Sequence, residues 1–361
     1  MGKIELDHTG SGGGITLSSD GTDLLLGGTA IGGSALELYA ENPSTPTAPS
    51  ATGTNAVAIG NNASSSNTLS VAIGHNSVAS NDYAFAIGAF TDATGERSLA
   101  LGYLAQAVTG QYATAISRSY ASGTDSFAAA IANNTSSYGA TGTNSIAMGY
   151  QAKATGSYGI AIGLSATASG PFHTLALGGN GSIASASYAT AINGGNVGNE
   201  ATQSGAFAFG RGAKAAIQGK FAFANDRFSL SGDAQGGMYI LRADTTDATA
   251  TVLTTNNNTA GSTNQIVAAS DTCITFDGTI TAMQNGAQAY ASWRIEGLLV
   301  NDGGTTTLAN SATTIIDNQS SWGMALSADN TNNALAITVT GEASHNIRWV
   351  ANIRTTEVTY A

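Results

Sequence analysis

Val57-Ala58-Ile59-Gly60, Val71-Ala72-Ile73-Gly74, Phe85-Ala86-Ile87-Gly88 and Leu99-Ala100-Leu101-Gly102 recur every 14 residues, and this recurrence decides how the middle of the chain is read. Looser copies follow at Thr114-Ala115-Ile116-Ser117 and Ala129-Ala130-Ile131-Ala132. The pattern then returns at Ile146-Ala147-Met148-Gly149, Ile160-Ala161-Ile162-Gly163 and Leu175-Ala176-Leu177-Gly178, and again at Thr190-Ala191-Ile192-Asn193, Phe207-Ala208-Phe209-Gly210 and Phe221-Ala222-Phe223-Ala224. These are twelve copies at spacings of 14 to 17. So short a period cannot hold a helix pair or a propeller blade; it holds two brief strands and two turns, one coil of a solenoid. Small-residue runs between copies, such as Ala105-Gln106-Ala107 and Ala152-Lys153-Ala154, supply the second strand. Coils stacked at roughly 4.8 Å make a rod of about 55 Å.

Strand alternation puts the first and third residues of each copy on one face and the central alanine on the other. The larger residues are expected to fill the coil. The alanine column (Ala58, Ala72, Ala86, Ala100, Ala147, Ala161, Ala176, Ala208, Ala222) then faces outward. A solvated strand would carry Thr, Lys or Glu there, so the column is expected to pack against a neighbouring subunit; the alternative is packing against the chain's own second strand.

Outward from the repeat, residues 1–42 read as an N-terminal attachment element, with a hairpin signal at Ile15-Thr16-Leu17, Asp20-Gly21 and Leu24-Leu25-Leu26. Residues 43–54, with Pro43, Pro46 and Pro49, read as an extended linker. The roll occupies 55–224, a connecting β-region 225–264, and an antiparallel β-sandwich, jelly-roll-like, 265–361, where strand runs such as Tyr290–Ile295 and Ile347–Ile353 alternate with polar turns. The fold class is all-β.

Composition agrees and excludes. Charged residues are 10% of the chain against roughly 25% in an ordinary soluble domain. The net charge of −11, with twelve scattered basic residues, argues against nucleic-acid binding. Cys273 is the one cysteine, which rules out an intrachain disulfide. Acidic residues in Met1–Asp7 and the lack of any long apolar run lead to the expectation of a chain made in a cytoplasm and spanning no membrane.

The Ser70-Val71-Ala72-Ile73-Gly74 core, followed by alternating alanine and small polar residues, resembles the YadA-type head repeat of trimeric autotransporter adhesins over residues 55–224. The resemblance implies a left-handed parallel β-roll and a homotrimer. Unlike the autotransporters, the chain shows no sustained heptads and no membrane barrel, so it looks like a phage fibre released by lysis. Gly236–Asp244 and Ile347–Tyr360 are also similar to C-terminal domains of structural proteins from phages of marine bacteria.

No catalytic constellation stands out. Asp82, Asp92, Glu96, Asp125, Glu200 and Asp226 of the roll form no recurring pair, and His8, His75, His173 and His345 lie far apart, so neither metal, cofactor nor enzymatic activity is expected. Candidate receptor contacts are Tyr83, Tyr103, Tyr112, Tyr150 and Tyr158, near turns of the roll, and Trp293 and Trp322, which together with Trp349 sit in apolar strands. The expected protein is a homotrimeric phage tail fibre, attached to other virion proteins through its N-terminal region and binding a host-surface glycan or outer-membrane component. A capsid-attached fibre or a polysaccharide-cleaving tailspike are the alternatives.

Overall fold

The computed structural model of the chain describes the backbone of residues 4–6, 15–19, 24–26 and 29–31, and residues 47–129, 137–193, 198–286, 289–319 and 321–360 in full. No helix occurs among the described residues. Near the N-terminus Ile4–Leu6, Ile15–Ser19, Leu24–Leu26 and Thr29–Ile31 pair as an antiparallel meander. Leu17 sits opposite Leu26 in the hairpin; its Asp20-Gly21 turn, and Pro43 and Pro46 of the linker, lie outside the described residues.

The roll consists of two parallel sheets of twelve strands each. One runs from Val57–Ile59 to Phe221–Phe223, the other from Ser50–Ala51 to Lys214–Ala215, so the first coil already includes part of the proline-bearing segment. Each strand pairs in register with the next coil, Ala58 on Ala72 and Ala72 on Ala86. The sixth copy differs from the sequence reading: the strand is Phe127–Ala129, not the run beginning at Ala129, and Ala128 takes the column position between Ala115 and Ala147.

The facing of the strands reverses the expectation. The central alanines, Ala72, Ala86, Ala100, Ala147, Ala161, Ala176, Ala208 and Ala222, are fully buried and pack against second-strand alanines such as Ala79, Ala93 and Ala107; Ala58, in the first coil, is partly buried against the same cluster. The larger flanking residues point outward. A coil of 14 residues with strands of three and two leaves an interior only wide enough for methyl and hydroxyl groups, so size, not hydrophobicity alone, selects the inner face. Some hydroxyls that enter this interior are satisfied within their own turns: Ser98 Oγ donates to the Gly95 carbonyl at 2.7 Å and Ser145 Oγ to that of Gly142 at 2.6 Å, whereas Ser126 Oγ and Thr174 Oγ1 are buried without a partner among the described residues. Turn glycines are held by the same crowding. At Gly149 φ is +113°, and a Cβ would sit 2.8 Å from the Gly163 carbonyl oxygen of the next coil.

The last coil is not an open end. Phe221–Phe223 pairs antiparallel with Ala234–Thr245, Phe221 opposite Met238, and carries the long sheet directly into the C-terminal domain. There the order continues through Ile347–Thr359, Thr272–Gln284, Tyr290–Asp302 and Thr305–Asp317, all antiparallel. The stretch 225–264 therefore supplies a full strand of this sheet. The shorter sheet of the roll ends at Lys214–Ala215, where the Gln235 side-chain amide stands in for the missing strand: it accepts from the Lys214 N–H at 2.9 Å and donates to the Lys214 carbonyl at 3.1 Å.

A second sheet, Ala334–Thr340 flanked by Gly323–Asp329, Thr251–Val252 and Ile266–Val267, covers one face of the five long strands. The core between them holds Tyr239, Phe276, Ile280, Ile295, Trp293 and Trp349 on one side and Leu253, Ile266, Leu335 and Ile337 on the other.

Candidate functional site: the outward face and turn ladders of the roll

Because alanine occupies the interior, the first and third strand positions build an outward stripe along the long sheet that is mostly Val, Ile, Leu, Phe and Met, with Thr114, Ala129 and Thr190 in three coils. Val57, Phe85, Leu101, Met148, Ile162, Phe209, Phe221 and Phe223 in this stripe are all exposed in the single chain. Phe207 stacks on Phe221 at 5.1 Å and Phe209 on Phe223 at 5.9 Å, so the stripe is an ordered surface. An apolar stripe of this length is far beyond the scattered apolar residues of an ordinary monomer surface.

The turns form two further columns. Those leading into the long sheet place one residue per coil in the left-handed conformation, and among them are Tyr83, Arg97, Tyr112, Tyr158, His173 and Tyr188, with φ between 52° and 60°. Stacked coils bring these side chains together. The Arg97 guanidinium lies 5.3 Å from the Tyr83 ring centre and 5.4 Å from that of Tyr112, and donates to the Tyr112 hydroxyl at 3.2 Å. Farther along, Tyr158, His173 and Tyr188 form a nearly parallel stack with centroid separations of 4.7 and 5.4 Å. Tyr103 and Tyr150 belong to the opposite edge, on turns leaving the long sheet; Tyr103 meets Phe90 edge-on at 6.1 Å. The five tyrosines read from sequence are thus all exposed but divide between two edges. Arg97, His173 and Tyr188 were missed, although Tyr158, His173 and Tyr188 are spaced by the repeat itself, at 15 residues.

Trp293 and Trp322 are buried in the sandwich core beside Trp349, with exposures of 3% and 4%, and this removes them as receptor contacts. Their apolar strand context already favoured the core. Trp349 is fully buried and donates its indole N–H to Thr245 Oγ1 at 2.9 Å.

Where the roll meets the sandwich, a buried polar cluster replaces apolar packing. Lys220 and Glu357 pair at 2.6 Å, and the Glu357 carboxylate also accepts from Gln235 Nε2 at 2.7 Å, Thr355 Oγ1 at 2.7 Å and the Tyr239 hydroxyl at 3.1 Å. Burial opposes the charge on Glu357, but the Lys220 ammonium and these donors hold its carboxyl below the ordinary carboxylate range. Burial, reinforced by the Glu357 charge, pushes the Tyr239 phenol well above its ordinary value, so it remains a donor. Every oxygen of the carboxylate is occupied. The arrangement is that of a clamp, and no group of three or more His, Cys, Asp or Glu able to hold a metal occurs among the described residues.

A family model of the YadA head domain repeat matches residues 51–68, 65–91, 93–116, 140–166 and 155–180. The matched coils of this roll are YadA-type head repeats. Among solved structures, the chain is similar to the tailspike protein gp49 of Acinetobacter baumannii bacteriophage Fri1, a capsular polysaccharide depolymerase. The identity is 10% and the TM-score 0.22, over 59% of this chain and 41% of that one. The tailspike protein of Acinetobacter baumannii phage AM24 follows at 8% identity and a TM-score of 0.20, over 76% and 57%. The chain thus spans less than two thirds of either tailspike. No curated protein matches it. The YadA-type roll accounts for the matched segments; the C-terminal sandwich lies outside them.

Proposed function

We propose that this chain is the subunit of a homotrimeric phage fibre, a virion structural protein that adheres to the host surface. The observation that carries the reading is the outward apolar stripe of the YadA-type roll. Such a surface is stable in water only when covered, and copies of the same rod, alongside and in register, cover its whole length at once. Placement on a phage particle follows the sequence likeness of Gly236–Asp244 and Ile347–Tyr360 to marine phage structural proteins.

Adhesion is assigned to the turn ladders. With three copies, each ladder repeats around the rod, and weak contacts to a host glycan or outer-membrane component gain from effective concentration. Tyr83, Tyr112 and Tyr158 on one edge and Tyr103 and Tyr150 on the other present hydroxyl tips and ring edges. The protein binds and does not cleave. Labelled full-length protein should bind host cells and compete with phage adsorption without releasing reducing ends from host polysaccharide. Release of reducing ends, or competition lacking altogether, contradicts the reading.

A further inference from the structure

The outward face of the five-stranded sheet ends in a row of four exposed side chains. Asp244, Arg348, Met283 and Tyr290 lie side by side on neighbouring strands, Asp244 opposite Arg348, Arg348 opposite Met283 and Met283 opposite Tyr290. The Arg348 side chain is 87% exposed, Met283 63% and Tyr290 55%. The row stands clear of the roll. Met238 pairs with Phe221 of the last coil, and Asp244 is six residues farther along the same strand, about 20 Å away at roughly 3.3 Å per residue. A cover as wide as the three-residue strands of the apolar stripe leaves this row open.

Two clefts, of about 510 and 450 Å³, meet at the Asp244–Arg348 pair and share both residues. Gln284, Asn285 and Asn346 wall the first, Arg242 and Asn258 the second, and the side chains of these five make no hydrogen bond or ion pair among the described residues. Asp244, by contrast, is committed: Oδ1 accepts from Arg348 Nε at 3.2 Å and Oδ2 from Asn257 Nδ2 at 3.0 Å, while its backbone N–H donates to Asn257 Oδ1 at 3.1 Å. The carboxylate thus holds the Arg348 guanidinium by Nε alone and leaves its two terminal nitrogens available as a fork.

Such a fork matches a carboxylate with two parallel hydrogen bonds. Arg242 adds a second guanidinium, so the clefts carry two cations against one carboxylate that is already paired, in a chain of net charge −11. The free amides each present a donor and an acceptor in one plane, which suits ring hydroxyls. Met283 and Tyr290 give an apolar flank with a hydroxyl tip, fit for the C–H face of a sugar. We infer that this row and its two clefts bind an acidic glycan of the host surface, with a sugar carboxylate on Arg348 and the adjoining ring along Met283 and Tyr290. The inference rests on the adhesive reading above, names the class of glycan, and adds a contact on the sandwich to those of the turn ladders.

Titration calorimetry of the full-length protein with a galacturonate tetrasaccharide, and with the methyl ester of the same tetrasaccharide, tests it. The acid should bind, and the ester, which lacks the charge, should bind at least about tenfold more weakly. Arg348→Gln, a change at an exposed side chain, should weaken binding of the acid by at least about tenfold, whereas Tyr83→Ala with Tyr112→Ala should leave it unchanged. Equal binding of acid and ester, or binding indifferent to Arg348→Gln, overturns the inference. If the protein binds host cells but not the tetrasaccharide, the inference falls and the adhesive reading survives; a protein that binds no host cells overturns the adhesive reading, and tetrasaccharide binding lost in Arg348→Gln would still support the site.

Discussion

Replacing Ala100 by Leu tests the inverted interior of the roll. Ala100 is fully buried, with Ala86 and Ala115 above and below it in the column. Overpacking a core costs about 1–3 kcal/mol when neighbours can shift to absorb it. Here the neighbours are alanines and backbone, which have no rotamers to change, so the cost should reach the top of that range. Leu101→Ala, one residue on, removes a larger side chain from the outward face, where it is 40% exposed. Within a single chain that loss is about 1 kcal/mol, because full burial of Leu is worth only about 1.5–3 kcal/mol. Urea titrations of both variants at several protein concentrations separate the two. The Ala100→Leu penalty should not depend on concentration, whereas the Leu101→Ala penalty should, because the residue also contributes to association. An Ala100→Leu protein as stable as wild type, next to a severely destabilised Leu101→Ala chain at the lowest concentration, would show that the larger residues fill the coil after all.

At the junction, Lys220→Met alone should cost about 3–5 kcal/mol by leaving Glu357 buried and unpaired, while Lys220→Met with Glu357→Met should recover most of it; thermal melts check both. Glu357 has a folded-state pKa below its ordinary 4.5. Its contribution to stability is therefore complete above that value and lost as pH falls through the folded pKa, and the double Met variant should lack this acid-dependent component in melts taken across that range. Gly149→Ala should destabilise the roll by about 2 kcal/mol or more, since the new methyl meets the Gly163 carbonyl at a positive φ, and calorimetry reads it directly. Tyr83→Ala with Tyr112→Ala should lower the stability only modestly, by about 0.5–1 kcal/mol for each lost Arg97 contact, and weaken host-cell binding.

The repeat was legible because each copy is in register with the next, so a single period read from Val57, Val71 and Phe85 specifies both sheets. Which face turns inward was not legible: alternation defines two faces, and the choice depends on a coil width that the sequence does not state. The sixth copy slipped because Ala128, Ala129 and Ala130 are chemically alike, and pairing with Ala115 and Ala147 picks the first. Trp293 and Trp322, read from sequence as candidate receptor contacts, lie in the sandwich core instead. The clamp was out of reach, since Lys220 and Glu357 are 137 residues apart and only the turn of the sheet from roll to sandwich joins them. The turn ladders lie between these cases. Their residue types are visible, but stacking emerges only when coils are superposed.

The central claim is that the outward stripe is an interface between copies of one chain, and sedimentation equilibrium of the full-length protein in native buffer tests it most directly. The account predicts a single species of three times the chain mass, reduced to smaller species when Phe85 and Leu101 are both replaced by Asp. A wild-type protein sedimenting as a stable monomer, with its apolar stripe open to solvent, would contradict it.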